Sequence, residues 1–176
     1  SNLDVEDSLW NSFENRQSKM CELECRRLVI ELNIQKYVKF EGAVPNNDIG
    51  KYLSMSDLFV STSLSDGSSV ALVEAISCSL PIVATKVPAF FEWINDGVNG
   101  NFVNFGDSFS LSKAINDLLK DNNKLLAMRN ANLEIGEDKT DWNKNYEVLE
   151  ETYQKLVDNY IPNNKYRSNI ENTSRD

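Results

Sequence analysis

Leu58-Phe59-Val60, then Ser61-Thr62-Ser63-Leu64-Ser65-Asp66-Gly67-Ser68-Ser69, then Val70-Ala71-Leu72-Val73-Glu74-Ala75-Ile76 is the stretch that decides the fold. The first run is short, apolar and partly β-branched, so it reads as a buried strand. The second is a polar loop. The third is apolar nearly all round, the mark of a helix buried on most sides. Pro81-Ile82-Val83-Ala84 follows as another buried strand, with proline at its first residue, where it is tolerated.

Working outward, the region upstream from Lys19 to Asn33 reads as a helix, with Met20, Leu23, Leu28, Ile30 and Leu32 among charges. Val38-Lys39-Phe40 alternates as a short strand ended by Gly42 and Pro45. Asn47 or Asn46 can cap a helix through Ile49, Tyr52, Leu53 and Met55. Downstream, Glu92 to Ile94 fits a short helix stopped by Asn95-Asp96-Gly97, and Asn101-Phe102-Val103 a brief strand. From Ser108 the pattern is helical through Leu111, Ala114, Ile115, Leu118 and Leu119, with a second helix around Leu125 to Met128. Trp142, Tyr146, Leu149, Tyr153, Leu156 and Val157 mark a long final helix. Strands alternating with helices imply an α/β chain whose parallel sheet is covered by helices on both faces. One domain over residues 1–162 and a disordered polar tail over 163–176 complete the expected organisation.

With 176 residues and 41% hydrophobic content, the chain can build one sizeable core. It lacks the run of ~20 apolar residues needed to cross a bilayer, and its start lacks the regions of a secretory signal. The expected location is the cytoplasm. A formal charge of -9 argues against nucleic-acid binding. The absence of histidine removes the commonest general base and metal ligand. Cys21, Cys25 and Cys78 are an odd count without further soft ligands, so buried or inert thiols are expected, with no metal and no cofactor.

In open α/β sheets, ligands bind outside the carboxyl ends of the strands. The loop from Ser61 to Ser69 lies at such an end. Gly67 permits a positive φ and a close backbone approach. Ser68 or Ser69 would cap the helix, leaving the N–H groups near Val70 and Ala71 as an anion site suited to a diphosphate. Glu74 lies roughly 7–8 Å beyond Ser69 along the helix axis, the reach from a nucleotide's phosphates to its ribose. Its two acceptor oxygens suit a vicinal diol. An exposed or capping glutamate fits the residue equally well at this level.

The order of these pieces resembles the donor-binding, C-terminal domain of GT4-type retaining GT-B glycosyltransferases. The likeness runs from about Val38 to Tyr153. It rests on Val38-Lys39-Phe40-Glu41-Gly42, on Ser56-Asp57 with the strand after it, and on Asp66 to Ala75 followed by Cys78 to Thr85. Glu92-Trp93-Ile94 and Asp96-Gly97-Val98-Asn99-Gly100 complete it. The resemblance implies a Rossmann-like sheet and a nucleoside-diphosphate-sugar donor. It makes Asp66 the catalytic acid beside the transferred sugar and Glu74 the ribose ligand, with Gly67, Ser68, Ser69 and Val70 presenting backbone amides to the donor. Metal is not required in such enzymes.

Two departures accompany the likeness: Asp66 stands where glutamate is common, and Ser79 where glycine is frequent, a serine costing about 1 kcal/mol if φ there is positive. The resemblance also implies that the first two strand-helix units of the domain, with their basic phosphate clamp, are absent. The acceptor domain would then lie outside the chain, which alone would be inactive; peripheral membrane association through that domain is compatible with this. A catalytically inactive GT-B-like binding or assembly module is the alternative. A sugar-nucleotide epimerase fits the fold, but fits the Asp66-to-Glu74 spacing less well.

Overall fold

The structure is a computed structural model that describes residues 19–67 and 69–160. The chain divides into two compact units, Ser1–Pro45 and Asn46–Asp176. The tail expected over 163–176 lies outside the described residues.

In the first unit, helix α1 spans residues 19–31. Arg26 and Arg27 pair with Glu22 and Glu24 one turn away on its exposed surface. The helix stops at Asn33, which takes φ 55, while Ile34 N–H reaches back to the Val29 carbonyl at 3.1 Å. Asparagine tolerates this left-handed position better than most residues. A short 3-10 turn, Gln35–Tyr37, follows. The strand expected at Val38-Lys39-Phe40 does not form. Val38 is extended, at φ -119 and ψ 126, but residues 38–40 pair with no strand among the described residues. An extended segment becomes a strand only when a neighbour takes up its backbone bonds. Phe40 instead lies under the Arg26 guanidinium, 4.2 Å from ring centre to Cζ. Cys21 and Cys25 are free and exposed rather than buried, and Cys78, in the second unit, is half-buried.

The second unit contains helix α2 (Asn46–Ser54), strand β1 (Phe59–Ser61), helix α3 (Val70–Ser77) and strand β2 (Ile82–Thr85). Strand β3 (Gly100–Val103) and helices α4 (Ser108–Lys120), α5 (Asn122–Lys139) and α6 (Trp142–Tyr160) follow. The sheet order is β1-β2-β3, all parallel, with Phe59 opposite Ile82 and Ile82 opposite Gly100. Every residue of β2 is buried. Ile82 and Ala84 face a cluster with Leu72 and Ile76 of α3, and with Phe90 and Ile94. Val83 faces the other way, onto Leu118 of α4 and Met128 of α5. Helices therefore cover both faces, as the unbroken apolar run of β2 implies.

The helix α3 is buried on one face only. Leu72, Ala75 and Ile76 are buried, whereas Val70 is 67% exposed. The apolar composition all round overstated its burial, because its other side borders a pocket rather than packed side chains. The short helix expected at Glu92–Ile94 is displaced. Proline in the first turn starts a 3-10 helix at Pro88–Phe90, and the chain turns again before Ile94, whose N–H bonds the Phe90 carbonyl at 2.8 Å. Among the described residues no helix is long and apolar enough to cross a membrane.

Two buried asparagines tie these elements together. Asn132 on α5 donates to the Leu80 carbonyl at 2.6 Å and to the Asn99 carbonyl at 2.8 Å. Asn99 donates to Asn132 Oδ1 at 2.8 Å and to the Trp93 carbonyl at 2.9 Å, and accepts from Asn95 N–H at 2.7 Å. Around them Gly97 takes φ 80, and a Cβ on Gly100 would meet the Ile82 carbonyl at 2.9 Å. The Asp-Gly-Val-Asn-Gly stretch is thus a turn that lets β3 lie against β2. Asp96 adds a bond from Phe102 N–H at 2.8 Å.

The end of α3 has a defined geometry. Ser79 takes φ 57, and its N–H bonds the Ile76 carbonyl at 2.8 Å while Leu80 N–H bonds the Ala75 carbonyl at 3.0 Å. This is a Schellman ending with serine where glycine is favoured. Ser79→Gly is expected to stabilise the protein by about 1 kcal/mol, read as a rise in thermal midpoint. Asn132→Ala orphans buried carbonyls and should cost about 2–4 kcal/mol; an unchanged denaturant midpoint would remove the amide pair from its structural role.

Candidate functional site

The loop after β1 leaves the sheet at its carboxyl edge and enters α3. Ser69 caps the helix: its side chain accepts from Leu72 N–H at 3.4 Å, and its carbonyl accepts from Val73 N–H at 3.1 Å. The N–H groups of Val70 and Ala71 have no acceptor among the described residues. They are the open donors that every helix start leaves behind. Ser68 lies outside the described residues. Asp66 is half-buried and Gly67 exposed.

Gly67 does not take a positive φ, contrary to the reading from its sequence; a Cβ built there would meet nothing within 4 Å. The Ser69 cap opens α3 with Ser69 itself extended, at φ -76 and ψ 96. What the glycine contributes is bare, accessible backbone.

Glu74 lies one turn into α3, half-buried. It shares a pocket of about 480 Å³ with Val70 and Val73 of its own helix, Ile49 and Leu53 of α2, and Trp142 of α6. No hydrogen bond or ion pair engages its carboxylate among the described residues. The helix start and the free carboxylate therefore border one pocket. Asp66 does not line it.

A second pocket, about 250 Å³, opens directly at the carboxyl ends of the strands, between Thr62, Thr85, Val103, Phe105 and Asp107. Asp107 caps α4, accepting from Ser110 N–H at 2.9 Å and from Ser110 Oγ at 2.6 Å. The Ser110 hydroxyl first, and then its amide, hold the Asp107 carboxyl below the usual aspartate range. Lys86 follows β2 at the same edge, exposed, with its N–H bonded to the Val103 carbonyl at 3.1 Å.

Reading the residues in order did not single out Thr85 or Arg129. Thr85, 3% exposed, donates from Oγ1 to the Ser63 carbonyl at 2.5 Å. Arg129 on α5 donates to the Ser56 and Asp57 carbonyls at 3.2 and 3.4 Å, and its guanidinium lies 3.6 Å from the Asp57 carboxylate. The available signal was a polar residue closing the apolar run Ile82-Val83-Ala84, since a buried hydroxyl needs a partner.

Residues 22–134 match the family of glycosyl transferases group 1, and the chain belongs to it. Over 78 residues it is 32% identical to the alpha-monoglucosyldiacylglycerol synthase of Acholeplasma laidlawii, covering 44% of this chain and 20% of that protein. The crystal structure of HepE from Anabaena in complex with UDP-glucose superposes with a TM-score of 0.69 at 28% identity, covering 76% of this chain and 36% of that one. The C-terminal domain of a glycosyl transferase group 1 family protein, LpcC from Francisella tularensis, superposes at 0.63 and 22% identity, over 68% of this chain and 62% of that domain, a likeness of fold. The chain thus spans between a fifth and two fifths of the synthase and HepE, its two full-length relatives here. Its parallel sheet with flanking helices is that of GT-B structures.

The capped start of α4 has a pH signature. Because the folded Asp107 binds its proton more weakly than an unfolded aspartate, its stabilising effect is complete above the unfolded value of about 3.9 and is lost as pH falls through the lower folded value. Titration by NMR should show the Asp107 carboxyl protonating below the range of an unfolded aspartate. Asp107→Asn should flatten the loss of stability below about pH 4.

Proposed function

We propose that this chain, over residues 1–162, is the donor-binding part of a GT4-type retaining glycosyltransferase. The observation that carries the reading is a pocket bordered by Val70, at the start of α3, and by Glu74 one turn on: among the described residues the N–H groups of Val70 and Ala71 have no acceptor, and the Glu74 carboxylate has no partner. A diphosphate accepts from the first, and a ribose diol donates to the second. Membership of the glycosyl transferases group 1 family, and a UDP-glucose complex among the structural neighbours, support a nucleoside-diphosphate sugar as the ligand.

Asp66 orients the transferred sugar, and Gly67, Ser69 and Val70 present backbone to the donor, with Ser68 between them in sequence. As the anomeric carbon–phosphate oxygen bond breaks, negative charge collects on the departing diphosphate. Helix N–H groups aimed at it stabilise that charge. The acceptor hydroxyl oxygen forms the new bond to the anomeric carbon on the same face, and its proton passes to the departing phosphate oxygen. No side chain of this chain need act as a base, which suits a sequence without histidine. The acceptor is held by a further domain, a reading supported by the fraction of its relatives that the chain spans. The reaction takes place in the cytoplasm. The Ser79 departure does not count against activity, since the serine adopts the left-handed conformation the position requires.

The test is calorimetry on the full-length protein with UDP-glucose, followed by other sugar nucleotides. Glu74→Ala should weaken donor binding by about 1–3 kcal/mol. Unchanged affinity would remove Glu74 from the donor site and the reading with it.

A further inference from the structure

Thr85 is the last residue of β2 and lies opposite Val103 in the sheet register. Strand β1 is already finished beside it: its last paired residue is Ser61, opposite Ala84. Beyond that point no backbone pairing joins the two segments. The Thr85 hydroxyl takes over, donating to the Ser63 carbonyl at 2.5 Å across 22 residues of sequence. The Ser61 and Ser63 hydroxyls, 3.3 Å apart, add a contact within the loop. Thr85 is 3% exposed, so little water competes for its hydroxyl, and losing this partner would leave the Ser63 carbonyl without it.

We propose that Thr85 is a positioning residue for the donor site: its hydroxyl fixes the direction in which the chain leaves β1, and so where Asp66 and the Ser69-capped start of α3 stand. Ser63 is the last point at which the loop is tied to the sheet before Asp66, three residues on, and Ser69, six residues on. A loop tied at Ser63 delivers its carboxylate and helix start in one arrangement, whereas an untied loop samples several. Catalytic groups displaced by about 1 Å can lose about 100-fold in rate, and supporting bonds of this kind hold such groups in place. The inference rests on the donor-site reading above.

The experiment compares Thr85→Val, Thr85→Ala and Thr85→Ser in the full-length protein, with Glu74→Ala alongside and UDP-glucose as the probe. Thr85→Val keeps the shape and removes the hydroxyl. It should lower kcat/KM for the donor about tenfold or more, leave the acceptor KM within about twofold, and speed amide exchange across residues 62–67. Thr85→Ser retains the hydroxyl and should restore donor kcat/KM to within about threefold of wild type. Wild-type donor kinetics in the Val variant, or a Ser variant as impaired as Val, would overturn the proposal. So would failure of both Val and Ala variants to fold, which would make the bond a support of the core alone. If Glu74→Ala weakens the donor while Thr85→Val does not, this inference fails by itself. If neither affects it, the donor-site reading fails.

Discussion

Two buried side-chain amides hold the second unit together. Asn132 and Asn99 bond to each other and to carbonyls of Leu80, Asn99 and Trp93, so both N–H bonds of each amide are used. The pair joins the segment that opens β2, the turn that opens β3, and α5 across the back of both. In a buried setting, polar bonds are strong when made and costly when missing. The starts of β2 and β3 are therefore set, and with them the shared level at which the strands end.

That level is where the proposed donor site lies. The helix α3 runs from it with a cap at one end and a Schellman closure at the other, Ser69 and Ser79. The closure satisfies the last carbonyls internally. At the start, the N–H groups of Val70 and Ala71 have no acceptor among the described residues, as helix starts generally leave them. Glu74 lies one turn further along and lines the same pocket as Val70, the place the proposed function gives to the ribose. Among the described residues, the loop that feeds α3 is tied to β2 by the Thr85 hydroxyl, at the Ser63 carbonyl.

Much of this was legible in the residues. The two strands, the helix between them and a serine cap at Ser68 or Ser69 follow from local pattern, because apolar period and capping chemistry act within a few residues; β1 is less buried than its apolar run implied, with Val60 exposed. The positive φ at Ser79 follows from its place after α3. Other readings went astray for physical reasons, beyond the burial of α3 and the helix at Glu92–Ile94. Val38 to Phe40 alternates like a strand, but pairing depends on a neighbour that local sequence does not supply. The cysteines were expected to be buried or inert; Cys21 and Cys25 are free and exposed on α1, because an amphipathic helix leaves one side to solvent whatever residues occupy it. Gly67 was read as able to take a left-handed conformation, but its φ is not positive, and open space around it sets no steric demand for glycine.

The sequence by itself determined the class of fold, the strand-loop-helix unit carrying Asp66 and Glu74, and the turn at Asp96 to Gly100, since each depends on residues close together in the chain. Only the tertiary structure decided that Asn99 serves the core and that Glu74 faces a pocket instead of a neighbouring cation. It also decided that Thr85 and Ser63 meet across the sheet edge. Such pairings arise between segments tens of residues apart, and they exist only once burial has brought those segments together and removed water as the competing partner.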